Sequence, residues 1–327
     1  MPRIVRDPRS PISLVVVIAA SVACSKGENA ATDSTTAKAD SATASAAPAL
    51  FASAGATDSM KTPESVRYDA DLDAFFVSNI NGNPSQKDGN GFIARVDAAN
   101  TATVTMFAEG GKKGVTLNAP KGMAIVGDTL WVADIDAVRA FNKRTGALIA
   151  TVDLKPMKAE FLNDVVAGPD GAIYVTDTGI RFDASGGMTH PGHDQIFKIT
   201  GRKATVAIAS DSSLKGPNGI AWDGANGRFV LGPFNDQVVT AWKAGDSTVT
   251  AVGTGPGGYD GVEVLSDGRI LVTSWADSSV QVIENGTFRK VVGNVDGPAD
   301  LGIDTKRNVV AVPRFNAGRV EYFTISR

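Results

Sequence analysis

Gly122-Met-Ala-Ile-Val126, Gly127-Asp128, Thr129-Leu-Trp-Val-Ala-Asp134, Ala137-Val-Arg-Ala-Phe141, Thr145-Gly146 and Ala147-Leu-Ile-Ala-Thr-Val152 follow one another along the chain. Read in order, these are four strand-length apolar or alternating runs joined by tight turns, with Gly-Asp and Thr-Gly supplying the hairpin geometry. The same order returns in Val262-Glu-Val264, the Ser266-Asp267-Gly268 turn, Ile270–Ser274, Ser279–Ile283, the Asn285-Gly286 turn and Thr287–Val292. No run between them carries a helical period.

Working outward, each unit opens on one short motif: a Pro or bulky residue, a polar residue, a small residue, then an alternating strand. Six copies are present: Pro63-Glu64-Ser65-Val66, Pro120-Lys121-Gly122-Met123, Leu162-Asn163-Asp164-Val165, Pro217-Asn218-Gly219-Ile220, Tyr259-Asp260-Gly261-Val262 and Pro298-Ala299-Asp300-Leu301. Their second residues are 57, 42, 55, 42 and 39 positions apart, and residues 64–327 shared among six repeats give about 44 each, a propeller-blade period. The expectation is an all-β, six-bladed β-propeller with four-stranded blades. The last repeat supplies only three strands before Arg327, and an open edge in a ring is a liability. Residues 49–54, with Leu50 and Phe51, are therefore expected to close blade six as an N-terminal strand. Trp131, Trp222, Trp242 and Trp275 fall on expected strands and read as core between blades.

Composition agrees with that architecture and removes several functions. Of 327 residues, 35 are Gly and 15 Pro, and 20% are charged, which suits short strands and tight turns. With 32 basic and 35 acidic residues the net charge is -3, so no global positive field draws in nucleic acid. One Cys and two His leave no internal disulfide and no Cys-based zinc cluster. The sequence has no Gly-x-Ser-x-Gly elbow, no His-Glu-x-x-His helix and no Walker loop, so serine-hydrolase, zinc-protease and nucleotide-hydrolase readings lose their support. The glycines of Gly89-Asn-Gly91-Phe-Ile-Ala94 are spaced like half a dinucleotide fingerprint but lack its strand and helix.

The N-terminus reads as an address. Arg3 and Arg6 precede the apolar run Ile12–Ala20, which is too short for an ordinary membrane span. Ser21-Val22-Ala23-Cys24 resembles the lipobox of bacterial lipoproteins, with Ser21 where Leu is usual. The resemblance implies lipidation of Cys24 and a membrane-anchored lipoprotein of the cell envelope, facing the periplasm or exterior. An ordinary secretory signal cut nearby is the other reading. Residues 1–24 are thus expected as signal, 25–48 as an Ala/Ser/Thr-rich flexible tether, and 49–327 as the propeller. Over residues 25–60 such a coil reaches about 30 Å.

The second motif position forms a column: Glu64, Lys121, Asn163, Asn218, Asp260, Ala299. Innermost strands line a propeller's channel, so these residues form a ring about the axis. Two carboxylates and two amide oxygens are hard donors suited to Ca²⁺ or Mg²⁺. Lys121 opens other arrangements: its ammonium in the centre, paired with Glu64 or Asp260 in place of a metal, a contact to a substrate anion, or a structural salt bridge. Asp164 and Asp300, next to the ring, read as strand-start residues bonded to backbone amides.

At these positions the chain resembles the senescence marker protein, gluconolactonase and luciferin-regenerating enzyme family, with diisopropyl fluorophosphatase as a structural relative. The resemblance spans about residues 60–326. It implies a six-bladed propeller with one divalent ion, Ca²⁺ first and Mg²⁺, Mn²⁺ or Zn²⁺ otherwise, held by Glu64, Asn218 and Asp260. It further implies that Asn163 contacts substrate or metal, and that a lactone or related ester is hydrolysed with Asp260 taking the proton. Asn163 and Asn218 would orient the substrate. Phe161 stands where the lactonases carry an Arg that grips a sugar, and offers an apolar wall instead, so a sugar acid lactone fits poorly. Glu64-Ser65-Val66 replaces the family's Glu-Gly-Pro.

Two insertions remain. Arg181–His193 in blade three carries both His residues, and with Asp183 and Asp194 nearby it reads either as a solvated loop or as a second metal site. Ser78–Gly91 in blade one is a polar insertion that shapes the same mouth. The sequence supports two functions: a lipid-anchored, metal-dependent hydrolase of a small molecule, or a non-catalytic NHL-like propeller that binds a protein partner or ligand of the envelope.

Overall fold

The computed structural model describes residues 51–326. The expected signal, Cys24, the expected tether and the first two residues of the expected closing strand, Ala49 and Leu50, lie outside them. Six four-stranded antiparallel sheets are present. Blade one runs from Pro63–Asp69 at the channel to Val104–Glu109 at the rim, blade two from Pro120–Val126 to Leu148–Asp153, and blade three from Leu162–Ala167 to Lys203–Ala209. Blade four runs from Pro217–Asp223 to Thr250–Thr254, and blade five from Tyr259–Val264 to Thr287–Val292. Five motif copies open the innermost strands of blades one to five, as the repeat spacing predicts, and the sixth, Pro298–Leu301, leads directly into the short innermost strand Gly302–Asp304 of blade six. Among the described residues no helix is long and apolar enough to cross a membrane.

Blade six is completed from the other end of the propeller. Phe51–Thr57 pairs antiparallel with Arg319–Ile325, in register from Phe51 with Ile325 to Thr57 with Val320. The closing strand is the expected one, but it extends to Thr57 rather than stopping at 54. Thr57 holds that end: its hydroxyl lies 2.8 Å from the buried Tyr322 hydroxyl and donates to the Thr101 carbonyl of blade one at 2.7 Å. At the channel, blade six meets blade one through a parallel bridge of Ser65 with Asp300.

The core is divided among the blade interfaces. Six buried apolar clusters each join neighbouring blades, for instance Phe76, Ile93, Leu130 and Phe141 between blades one and two, and Leu271, Val282, Val310 and Val312 between five and six. This follows from the alternating strands, whose two faces are both covered in a ring of stacked sheets. The small third residue of the motif has a physical reason. A Cβ on Gly219 would lie 2.2 Å from the Asp260 carbonyl oxygen, and one on Gly261 would lie 2.6 Å from the Leu301 nitrogen. At these glycines the neighbouring innermost strand leaves no room for a side chain, whereas Ser65, Asp164 and Asp300 hold the same motif position with buried polar side chains.

Trp242 is buried, and Trp131 and Trp222 pack against core clusters, as expected. Trp275 departs from the expectation. Its strand ends at Ser274, and the indole projects from the following turn into the channel mouth. A side chain just past a strand end is no longer bound to the sheet's alternation.

Candidate functional site

Each innermost strand of blades one to five begins with an irregularity: the register shifts between Pro63 and Ser65, Pro120 and Met123, Leu162 and Val165, Pro217 and Gly219, and Tyr259 and Val262. Bulges at strand ends re-aim side chains, and the residue re-aimed in each case is a member of the polar column. Glu64, Lys121, Asn163, Asn218 and Asp260 all line one cavity of about 470 Å³ at the mouth of the channel. Ala299, the sixth member, is buried and contributes no polar atom.

Three oxygen atoms in that cavity stand out. Glu64 Oε2, Asn218 Oδ1 and Asp260 Oδ1 are buried and have no hydrogen-bond partner. Buried acceptors without partners are costly, and here they come from three blades. The other oxygen of Asp260 is fixed, since Trp275 Nε1 donates to Oδ2 at 2.8 Å. Asn163 donates through Nδ2 to Thr178 Oγ1 at 3.1 Å, leaving its carbonyl oxygen as the remaining polar atom. Burial, then Asp260 and Asp300, hold the Glu64 carboxyl well above the usual carboxylate range, against the pull of Lys121. Burial and then Asp300 push Asp260 up to about 8, with the Trp275 bond working the other way. Negative charge in this ring is under-compensated by the protein itself, the condition a divalent ion relieves. Glu64, Asn218 and Asp260 therefore fit the oxygen-donor set a hard cation requires. Among the described residues no group of three or more His, Cys, Asp and Glu is placed to hold a metal ion, so a cation here would depend on the amide oxygens.

Lys121 does not occupy the centre as an ion-pair partner. Its Nζ donates to the Pro84 and Ala119 carbonyls, both at 3.1 Å, and lies 4.1 Å from the centroid of the Phe161 ring. Burial pushes the ammonium down to about 8, while Glu64, Asp134 and Asp177 work to raise it. Phe161 is buried and lines the cavity, as the apolar wall its place in the motif predicts.

Asp164 accepts from the Val165 and Ile220 amides at 2.7 and 2.9 Å, as a strand-start residue should. Asp300 accepts from the Ser65 hydroxyl at 2.5 Å instead of from backbone. Both also face a residue the sequence reading missed. Arg67 reaches Asp164 at 3.1 Å, Asp300 at 3.0 Å and Glu263 at 3.0 Å, and donates to the Met123 and Leu301 carbonyls. Asp300, Asp164 and Glu263 raise its pKa against the effect of burial. Arg67 and Glu263 lie three residues after Glu64 and Asp260, in a column otherwise made of Ala124, Val166, Ala221 and Gly302. That shared offset was the available signal.

The two insertions meet over the mouth. Asn83 Nδ2 donates to the Asp183 carbonyl at 2.7 Å, and the Phe182 amide donates to Ser85 Oγ at 2.9 Å. Blade three's loop forms a two-stranded hairpin, Arg181–Phe182 with Met188–Thr189. Its histidines belong to separate pairs, His190 Nε2 with Asp194 at 2.8 Å and His193 Nδ1 with Asp211 at 3.5 Å, while Asp183 accepts from amides of its own turn. They are not gathered into a second metal site.

Solved structures share this architecture. Luciferin-regenerating enzyme aligns with a TM-score of 0.62 at 12% identity, covering 84% of this chain and 95% of its own. A calcium-binding protein, regucalcin from Agrobacterium tumefaciens, gives 0.63 at 15%, covering 84% and 94%. A putative gluconolactonase gives 0.62 at 15%, covering 85% and 94%. Identities this low speak for the fold alone. None of the curated proteins matches significantly. The family model for the SMP-30/gluconolactonase/LRE-like region matches residues 62–303, from the first channel strand into the sixth blade, and the chain belongs to that family.

Proposed function

We propose that this protein is a divalent-metal-dependent hydrolase of a lactone or related ester, held at the cell envelope by a lipid on Cys24. Family membership suggests lactonase-type hydrolysis. The observation that carries the metal dependence is the trio of partnerless buried oxygens, Glu64 Oε2, Asn218 Oδ1 and Asp260 Oδ1, in one cavity. Ca²⁺ is the first choice, consistent with a structural neighbour described as calcium-binding, with Mg²⁺, Mn²⁺ and Zn²⁺ as the others.

A divalent ion would be held by Glu64, Asn218 and Asp260, and when bound would supply polarisation of the ester carbonyl and a lowered pKa for water. The residues then divide the remaining work. Asp260, with its Oδ2 anchored by Trp275, is the carboxylate that takes a proton from water. Asn163, tethered to Thr178 through its nitrogen, turns its carbonyl oxygen toward the substrate. Lys121 has two N–H groups committed to carbonyls and a third free for an oxygen of the substrate. Phe161 excludes water beside it.

The test uses the full-length chain with metal analysis and a panel of lactones and carboxylic and organophosphate esters. Activity should disappear with chelator, return with Ca²⁺, and fall at least a hundredfold in Glu64→Gln and Asp260→Asn, the scale of removing a transition-state contact. Activity indifferent to all three treatments removes the mechanism and leaves a binding propeller. Mass spectrometry of the mature N-terminus tests the anchor: an unmodified residue beyond Cys24 refutes it.

A further inference from the structure

A second column runs round the mouth beside the polar ring. In every blade the first motif residue pairs with the end of the second strand: Pro63 with Asn79, Pro120 with Asp134, Leu162 with Asp177, Pro217 with Pro233, Tyr259 with Ser274 and Pro298 with Arg314. One residue beyond the first partner is the polar ring. One residue beyond the second stand Ile80, Ile135, Thr178, Phe234, Trp275 and Phe315. Five of these six are large and apolar, and in blade three Ile180 follows Thr178 at a distance of two residues. The shared register therefore sets an apolar collar against the polar floor.

Ile80, Ile180, Phe234, Trp275 and Phe315 all line the cavity. Their rings interlock, with Trp275 5.4 Å from Phe315 and 6.2 Å from Phe234. Phe182 on the hairpin extends the wall, 5.8 Å from Phe161. Polar handles on the collar are already used: the Trp275 N–H by Asp260 and Asn316 Nδ2 by Asp296 at 2.8 Å. A polyhydroxylated ligand would lose water from its hydroxyls against these rings with no partner in exchange, at roughly a tenfold loss of affinity or more each. A volume of about 470 Å³ is far larger than a bare lactone ring needs, and is of the size that encloses an extended ligand.

We infer that the substrate carries an extended apolar substituent, aliphatic or aryl, seated in this collar with its carbonyl over the polar ring. The inference rests on the hydrolase reading for the lactone or ester group, and on the collar for the substituent.

Three lactones with the same six-membered ring separate the two. With Ca²⁺-loaded full-length protein, kcat/KM for δ-decanolactone should exceed that for δ-hexanolactone by roughly tenfold to a hundredfold, since four further methylenes are each worth up to about fourfold. Glucono-δ-lactone should be the poorest of the three. A binding arm needs no turnover: calorimetry with 6-pentylpiperidin-2-one, the lactam of matching shape, should show tighter binding than piperidin-2-one by a similar factor. In Phe182→Ser and Phe315→Ser the ratio between long and short lactones should shrink at least threefold. Tight lactam binding with no lactone hydrolysed supports the collar and sinks the hydrolase reading. Glucono-δ-lactone turned over as well as δ-decanolactone, or the two lactams bound equally, overturns the inference while leaving that reading intact.

Discussion

Replacing Arg67 by Met removes the cation that the buried Asp164 and Asp300 and the part-exposed Glu263 share at the axis. The side chain is nearly volume-conserving, so cavity formation contributes little, and the cost is electrostatic. Asp164 would keep its two amides and Asp300 its serine, but Glu263 would lose its charged partner. Breaking a buried ion pair from one side costs about 3–5 kcal/mol, and with the Glu263 side chain 25% exposed the lower end of that range applies. At this domain size that corresponds to a fall in Tm of roughly 10 °C. The pH dependence gives a sharper signature. Glu263 is pushed up to about 7 by burial, with Arg67 opposing that rise. A raised carboxyl contributes stability that is complete below its unfolded value near 4.5 and is lost as pH climbs through the folded one. Without Arg67 that folded value rises further, so the deficit of Arg67→Met should be larger at pH 8 than at pH 5. Urea denaturation at both pH values, with Arg67→Met/Glu263→Gln alongside, measures this, and the double variant should recover part of the loss at pH 8. A deficit below about 1 kcal/mol, or one equal at the two pH values, refutes the account of Arg67 as the axial counter-ion.

Three further outcomes follow from the same geometry. Asp260→Asn should raise metal-free stability above pH 8, because the uncompensated charge disappears, while abolishing the Tm increase produced by Ca²⁺; that increase corresponds to about 2.7 kcal/mol in wild type at a hundred times Kd. Equal Ca²⁺ stabilisation of both proteins, read by differential scanning fluorimetry, would argue against Asp260 as a ligand. Gly219→Ala places a methyl 2.2 Å from the Asp260 carbonyl oxygen and should cost about 1–3 kcal/mol through overpacking, measured by urea denaturation, together with weaker Ca²⁺ binding by calorimetry. Deleting residues 1–57 removes the closing strand and should lower Tm sharply, whereas deleting 1–48 should leave it within a few degrees; equal Tm values would deny that Phe51–Thr57 holds the ring shut.

Much of the site was legible because a propeller repeats its local structure. One motif per blade announced six innermost strands, and the position after its first residue announced Glu64, Lys121, Asn163, Asn218 and Asp260 as neighbours of one axis. Phe161 could be read as a wall from the resemblance, because it stands where the lactonases carry an Arg. Trp275 misled, because membership of a strand was inferred from a periodicity that ends at Ser274. Arg67 and Glu263 were hidden for a different reason: their column is otherwise apolar or glycine, so two opposite charges at one shared offset were the whole of the signal.

Periodicity and spacing, properties of the linear chain, thus determined the number of blades, the order of their strands and the identity of the ring. What Lys121 bonds, which oxygens lack partners, and how Arg67 neutralises Asp164, Asp300 and Glu263 were decided only in three dimensions. Those contacts join residues from different blades, at distances set by bulges and by how closely the innermost strands converge. A hydrogen bond a few ångströms long depends on that convergence, and no local pattern in the chain encodes it.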